Sequence, residues 1–313
     1  MNAYINAIDY YLPEKVLTNQ DLAALFPEWN AEKIFAKIGI EQRHISGCNE
    51  SASDMAVKAA EKLFANNAAI KREEIDFVLF CTQSPDYKLP SSACIIQDKL
   101  QLSKNAGALD FNMGCSGFIY GLALAKGLII SGAARNILLL TGETYTKYIS
   151  PDDKSNRAIF GDGASAALIS ERESGALIGD FVLGTDGSRA NDLILRPGEY
   201  LYMNGANIFS FALEIVPVVV RDVLAKNNID SEEIDLYVFH QANKFLLDSL
   251  RRKMNIPEQK FFMNLQFSAN TVSATIAIAL KDALTQGRIN KDSCVLLAGF
   301  GVGLSWGANV LFY

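Results

Sequence analysis

Two stretches of this chain are near copies of each other. EEIDFVLFCTQS starts at Glu73 and EEIDLYVFHQAN starts at Glu232, an offset of 159 positions. Each follows a helical run that ends in paired asparagines, AAEKLFANN before the first and VVRDVLAKNN before the second. Further on, NILLLTGE from Asn136 matches SCVLLAGFG from Ser293, at an offset of 157. Between these anchors lie MGCSGFIYGLALAKGLIISGAARN and SANTVSATIAIALKDALTQGRINKD, each a small-residue turn followed by a helical run. Three anchors in the same order at nearly constant spacing specify a duplicated unit, and two copies are too few for a solenoid. The continuous apolar runs DFVLF, NILLLTG, DLYVFH and CVLLAGF are strands covered on both faces, so the expected fold is α/β with helical layers. The halves are expected to span 1–172 and 173–313, meeting near ISERESGALIG at 169–179.

Duplication places corresponding turns opposite one another, and two of these turns carry reactive side chains. Cys115, between Gly114 and Gly117, corresponds to Asn270 at an offset of 155. If Cys115 opens a helix over 116–131, the positive end of the helix dipole favours its thiolate. Nearby backbone N–H groups would then suit attack on a thioester, because they can hold the oxyanion. A packed, inert thiol is the alternative for Cys115, and a helix N-cap is the alternative for Asn270. His240 ends the strand DLYVF. Cysteine, histidine and asparagine together offer a nucleophile, a base and an orienting amide, or two donors for a carbonyl oxygen.

Composition narrows the alternatives. There are only two histidines, His44 and His240, and five cysteines without a CxxC pair, so zinc and dithiol motifs are absent and no metal is expected. Cys81, Cys94 and Cys294 sit in apolar runs and are assigned to the core; Cys48 lies in a loop. A net charge of −6 argues against a broad nucleic-acid footprint. No apolar stretch reaches the length of a membrane span. The N-terminal residues do not read as a signal peptide, so a cytoplasmic location with reduced thiols is expected.

GCSGF, HQAN, ANTVSA and FGVGLSWGA, with YLPEKVLTNQDL, KIGIEQRHI, PSSACIIQ and IFGDGASAALI, resemble the 3-oxoacyl-acyl carrier protein synthase III family of the thiolase superfamily. The resemblance runs over essentially the whole chain. It implies a thiolase-like five-layered αβαβα sandwich of two similar halves. It implies that Cys115 takes an acyl group from a thioester primer. His240 and Asn270 would hold the malonyl thioester carbonyl while carbon dioxide leaves, and the backbone N–H groups of Cys115 and Val302 would form the oxyanion hole. Valine stands at 302 where the family usually has glycine. Gly205, Phe209 and Asn243 match positions lining the pantetheine tunnel; Ala206 replaces an asparagine expected there. Lys37, Lys154 and Phe245 stand where well-known members carry arginines at the coenzyme A entrance, and Lys33 where a tryptophan is expected, with Trp29 close by. Leu89 matches a residue that caps the partner subunit's acyl pocket, which implies a homodimer. Lys244, Arg251, Arg252 and Lys253 are an ordinary solvated helix face or a docking patch for acyl carrier protein. No cofactor is implied beyond coenzyme A or carrier-protein thioesters as substrates, and either remains open as the primer carrier.

Other chemistries fit less well. A papain-like peptidase has its cysteine near the mature N-terminus and has no place for the duplication. A condensing enzyme with two catalytic histidines is excluded because His44 lies outside any matching turn. Formation of 3-hydroxy-3-methylglutaryl thioesters uses an acid where this chain has Gln83. A catalytically silent partner of a condensing pair usually lacks the nucleophile. An ester- or amide-forming acyltransferase without decarboxylation shares Cys115 acylation and is the remaining alternative.

Overall fold

The computed structural model describes residues 2–67 and 71–313. The first half runs β1 (Tyr4–Tyr11), β2 (Val16–Thr18), α1 (Asn19–Leu25), α2 (Ala31–Ile38), β3 (Gln42–His44), α3 (Ala52–Asn66), β4 (Phe77–Cys81), α4 (Ser92–Lys99), β5 (Gly107–Phe111), α5 (Gly117–Ile130), β6 (Asn136–Glu143), α6 (Lys154–Ile159) and β7 (Gly163–Ser170). The second runs β8 (Ala176–Thr185), β9 (Leu193–Ile194), β10 (Tyr202–Met203), α7 (Gly205–Asn227), β11 (Leu236–Phe239), α8 (Lys244–Lys253), β12 (Phe261–Phe262), α9 (Thr275–Thr285), β13 (Cys294–Gly301) and β14 (Ser305–Phe312).

Ten of these strands are joined edge to edge in the order β12-β11-β13-β14-β8-β1-β7-β6-β4-β5. Read outward from the centre, β1-β7-β6-β4-β5 and β8-β14-β13-β11-β12 are the same arrangement twice. In each half the outer ladders are parallel and the inner ones antiparallel. The two halves are joined through a short β1–β8 ladder, Tyr4 against Leu177 and Ile5 against Ala176. The chain passes from one half to the other between Ser170 and Ala176.

Three large clusters of buried side chains separate the layers. Helices α3 and α4 cover the outer face of the first half-sheet, with Ala52, Ala56, Ala59, Ala60 and Leu63 turned inward. The i, i+4 spacing of these small residues lets α3 lie close on β1 and β7. Helices α7 and α8 cover the second half-sheet. Between the two sheets lie α5 and α9, whose Phe118, Leu122, Ile276 and Leu280 pack with strands from both halves. This is the αβαβα sandwich. The middle layer explains the apolar residues Phe118, Ile119, Leu122, Ala125 and Ile129 that α5 buries. It also explains Gly117 and Gly121: a Cβ at either would collide with Cys81 or Leu139. Two cysteine assignments change here. Cys94 is exposed on α4 and Cys294 is only half-buried at the start of β13, so the core contains Cys81 and Cys115 alone of the five.

Candidate active site

Cys115 lies in the turn between β5 and α5. Helix α5 begins at Gly117 with Ser116 as its N-cap, so Cys115 stands just outside the helix instead of opening it at 116. Ser116 Oγ and Ser305 Oγ are 2.7 Å apart, which ties this turn to the second half. A Cβ at Gly301 would come within 2.8 Å of Cys115 Sγ, so the absence of a side chain there makes room for the sulfur.

His240 follows β11, its N–H donating to Ala298 O at 2.8 Å. The ring meets Phe300 edge-on at 5.7 Å, and Nδ1 lies 2.7 Å from Thr275 Oγ1. Asn270 is held by the first half: its N–H donates to Ile159 O at 3.1 Å and its carbonyl accepts from Gly161 N–H at 3.0 Å. Its Oδ1 accepts from Val272 N–H at 2.9 Å, which leaves Nδ2 as the donor for the cavity.

These three residues line one cavity of about 510 Å³. Lys37, Gly205, Phe209 and Asn243 line it too, with Ala206 and Phe245. Phe245 is exposed and stacks on Phe209 at 5.2 Å. Asn243 also caps α8, its Oδ1 accepting from Leu246 N–H. Among the described residues, Lys37 alone brings a charged side chain to this wall.

Several expected residues lie elsewhere. Val302 lines a second cavity of about 320 Å³ with Gln83, Asn112, Tyr145 and Tyr148. It nonetheless packs against the buried cluster that holds Cys115. Leu193 borders both cavities. Lys154 is paired with Glu28 at 2.7 Å and lies 6.0 Å from the Trp29 ring, outside the main cavity. Leu89 is 81 % exposed and lines neither of these two cavities. On α8, Lys244 pairs with Asp248. Arg251 is largely covered, donates to Ile256 O and faces Asp248 and Glu258, while Arg252 and Lys253 are exposed.

The expected thiolate is corrected by the structure. Burial pushes the Cys115 thiol up to about 12, against the N–H groups of Val302 and of Cys115 itself, with Glu143 adding to the rise. Removal of water outweighs any help from the helix end. Burial likewise pushes His240 down to about 3, so thiol and imidazole are both neutral at rest.

Glu143 was not visible as a candidate in the sequence. It sits fully buried at the end of β6, accepting from Gln83 N–H, Ser84 Oγ and Ser273 Oγ. Burial still lifts its carboxyl to about 8 from an ordinary 4.5. The unfolded chain therefore sheds this proton first, and folding stability falls as pH rises from 4.5 to about 8, then levels. The expected loss is on the order of a few kcal/mol. His240 has the opposite sign, since its folded value lies below the ordinary 6.5, and costs stability as pH falls from 6.5 towards 3. Chemical unfolding across this range should show both slopes, and Glu143→Gln should remove only the upper one. An unchanged upper slope in that variant would refute the assignment.

A duplicated sandwich with a buried cysteine facing a histidine and an asparagine across one cavity is the architecture of a thiolase-like acyltransferase. Residues 109–187 match the family model for 3-oxoacyl-[acyl-carrier-protein (ACP)] synthase III, and residues 224–313 match the model for its C-terminal part. A beta-ketoacyl-[acyl-carrier-protein] synthase III of Clostridium perfringens is 37 % identical over 324 aligned positions, covering 99 % of both chains. One of Listeria innocua is also 37 % identical, again over 99 % of both chains. A crystal structure of a 3-oxoacyl-(acyl-carrier-protein) synthase III superposes with a TM-score of 0.97 at 46 % identity, covering all of both chains. The enzyme of Thermus thermophilus gives 0.92 at 35 %, covering 99 % of both chains. The chain belongs to the 3-oxoacyl-[acyl-carrier-protein] synthase III family.

Proposed function

We propose that this enzyme joins an acyl thioester primer to malonyl-ACP with loss of carbon dioxide, giving 3-oxoacyl-ACP through an acyl-Cys115 intermediate. The observation that carries this reading is the convergence of Cys115, His240 and Asn270 on one cavity of about 510 Å³. Cys115 Sγ attacks the primer carbonyl, and the N–H groups of Cys115 and Val302 receive the oxyanion. The malonyl thioester then enters with its carbonyl between His240 and Asn270. These donors stabilise the enolate that forms as carbon dioxide leaves, and its carbon attacks the acyl group on Cys115.

Gly205, Phe209 and Asn243 are placed to border the pantetheine arm, and Lys37 its phosphate end. The paired Lys154 contributes to that entrance only if Glu28 releases it. Arg252 and Lys253, with Lys244, form the exposed cationic part of the carrier-protein surface; Arg251 supports the helix. Leu89 fits a role in a homodimer, capping the partner's acyl pocket, and both coenzyme A and carrier-protein thioesters are candidate primers. An ester- or amide-forming reaction is not favoured, because the full-length relatives are named as ketoacyl synthases. Among the described residues no helix is long and apolar enough to cross a membrane. The test is to add malonyl-ACP to acylated enzyme: carbon dioxide and 3-oxoacyl-ACP are expected, and acyl transfer without carbon dioxide would overturn the reading.

A further inference from the structure

Val272 ties together the two residues that face Cys115 across the cavity. Its φ is +55°, in the left-handed region that a β-branched residue rarely adopts. In this conformation its N–H donates to Asn270 Oδ1 at 2.9 Å, and its carbonyl accepts from Thr275 Oγ1 at 3.1 Å. Thr275 Oγ1 in turn lies 2.7 Å from His240 Nδ1. A single residue in a strained conformation thus anchors the asparagine amide directly and the imidazole through a hydroxyl. His240, Asn270, Val272 and Thr275 are all buried, so each polar group here needs its partner.

That requirement fixes the direction of the chain of hydrogen bonds. A hydroxyl has one hydrogen to give. If Thr275 gave it to His240 Nδ1, the buried Val272 carbonyl would lose this donor. If Thr275 gives it to Val272 O, its oxygen is free to accept from Nδ1–H, and all three groups are satisfied. The neutral ring then carries its proton on Nδ1.

We propose that Thr275, backed by the Val272 carbonyl, is a positioning residue that fixes the tautomer of His240, so that Nε2 faces the cavity unprotonated and ready to take the Cys115 proton. The chemistry built on this rests on the function proposed above. As the Sγ–C bond forms, the S–H bond breaks and its proton passes to Nε2. The primer carrier leaves as a thiolate, which takes a proton from water. Nε2–H then donates to the malonyl thioester carbonyl, and the malonyl carboxylate supplies the opposite charge. Condensation frees the Cys115 sulfur, which takes its proton back.

The tautomer can be read directly by nitrogen NMR of protein labelled in its histidines. His44 and His240 are the only imidazoles, and His44→Gln separates their signals. Wild type and Thr275→Ser should show a protonated Nδ1 and a bare Nε2 on His240. A protonated Nε2 in resting wild-type enzyme would overturn the proposal, and this measurement needs no variant at position 275 to fold. Folded Thr275→Val should lose the fixed tautomer and acylate Cys115 about tenfold or more slowly, at nearly unchanged primer KM, while Thr275→Ser stays within about threefold of wild type. Wild-type acylation rates in folded Thr275→Val would also refute it. If no thioester acylates the wild-type enzyme, the proposed function fails, yet the NMR result still decides the tautomer.

Discussion

Cys115→Ala should take up no acyl group from any thioester and should lose condensation by at least about 10⁴-fold, because removing a nucleophile forfeits the covalent route altogether. The fold should survive. Cys115 is only 6 % exposed, in a cluster with Tyr145, Phe160, Leu193 and Val272. Exchanging its sulfur for hydrogen removes one buried heavy atom, a cost of about 1 kcal/mol. Activity and melting temperature should therefore separate cleanly. Condensation by the purified, folded variant at more than a trace of the wild-type rate would exclude the acyl-Cys115 route.

His240→Ala should divide the reaction. Removing one preorganised donor from a developing oxyanion costs roughly 10²–10³ in rate. Decarboxylation of malonyl-ACP should fall by about that factor. Acylation should fall too, at least about tenfold, because no Nε2 takes the Cys115 proton, but it should not vanish, because the N–H groups of Val302 and Cys115 are untouched by the substitution. The variant should also be more stable than wild type at acid pH relative to neutral, since it lacks a buried group that ionises in the unfolded chain below 6.5. Separate assays of acyl adduct and carbon dioxide test the division. Normal carbon dioxide release from His240→Ala would remove His240 from the malonyl step.

The duplication was legible because buried parallel strands write themselves as apolar runs, and the β4/β11 and β6/β13 pairs fall at the same places in the two half-sheets. It also located the site. Cys115 and Asn270 precede the paired middle helices α5 and α9, and His240 directly follows β11, the counterpart of β4. What surrounds these residues was not legible. The Cys115 thiol is driven up by neighbours brought from distant segments, among them Phe160 and Val272. The left-handed Val272 leaves no local signal, since nothing about a valine announces a positive φ. Nor does sequence reveal that Lys154 is engaged by Glu28, 126 positions away, or that Arg251 is covered while Arg252 is exposed. Pattern reports which face is buried; it does not report the partners that long-range packing supplies.

The most direct test of the central claim is the intact mass of the enzyme, followed through one turnover. Incubation with an acyl-coenzyme A or acyl-ACP donor should add one acyl group, located on Cys115 by fragmentation. Addition of malonyl-ACP should then return the enzyme to its unmodified mass as 3-oxoacyl-ACP appears. An enzyme that takes no acyl group from any donor, or an adduct that malonyl-ACP leaves in place, would contradict it.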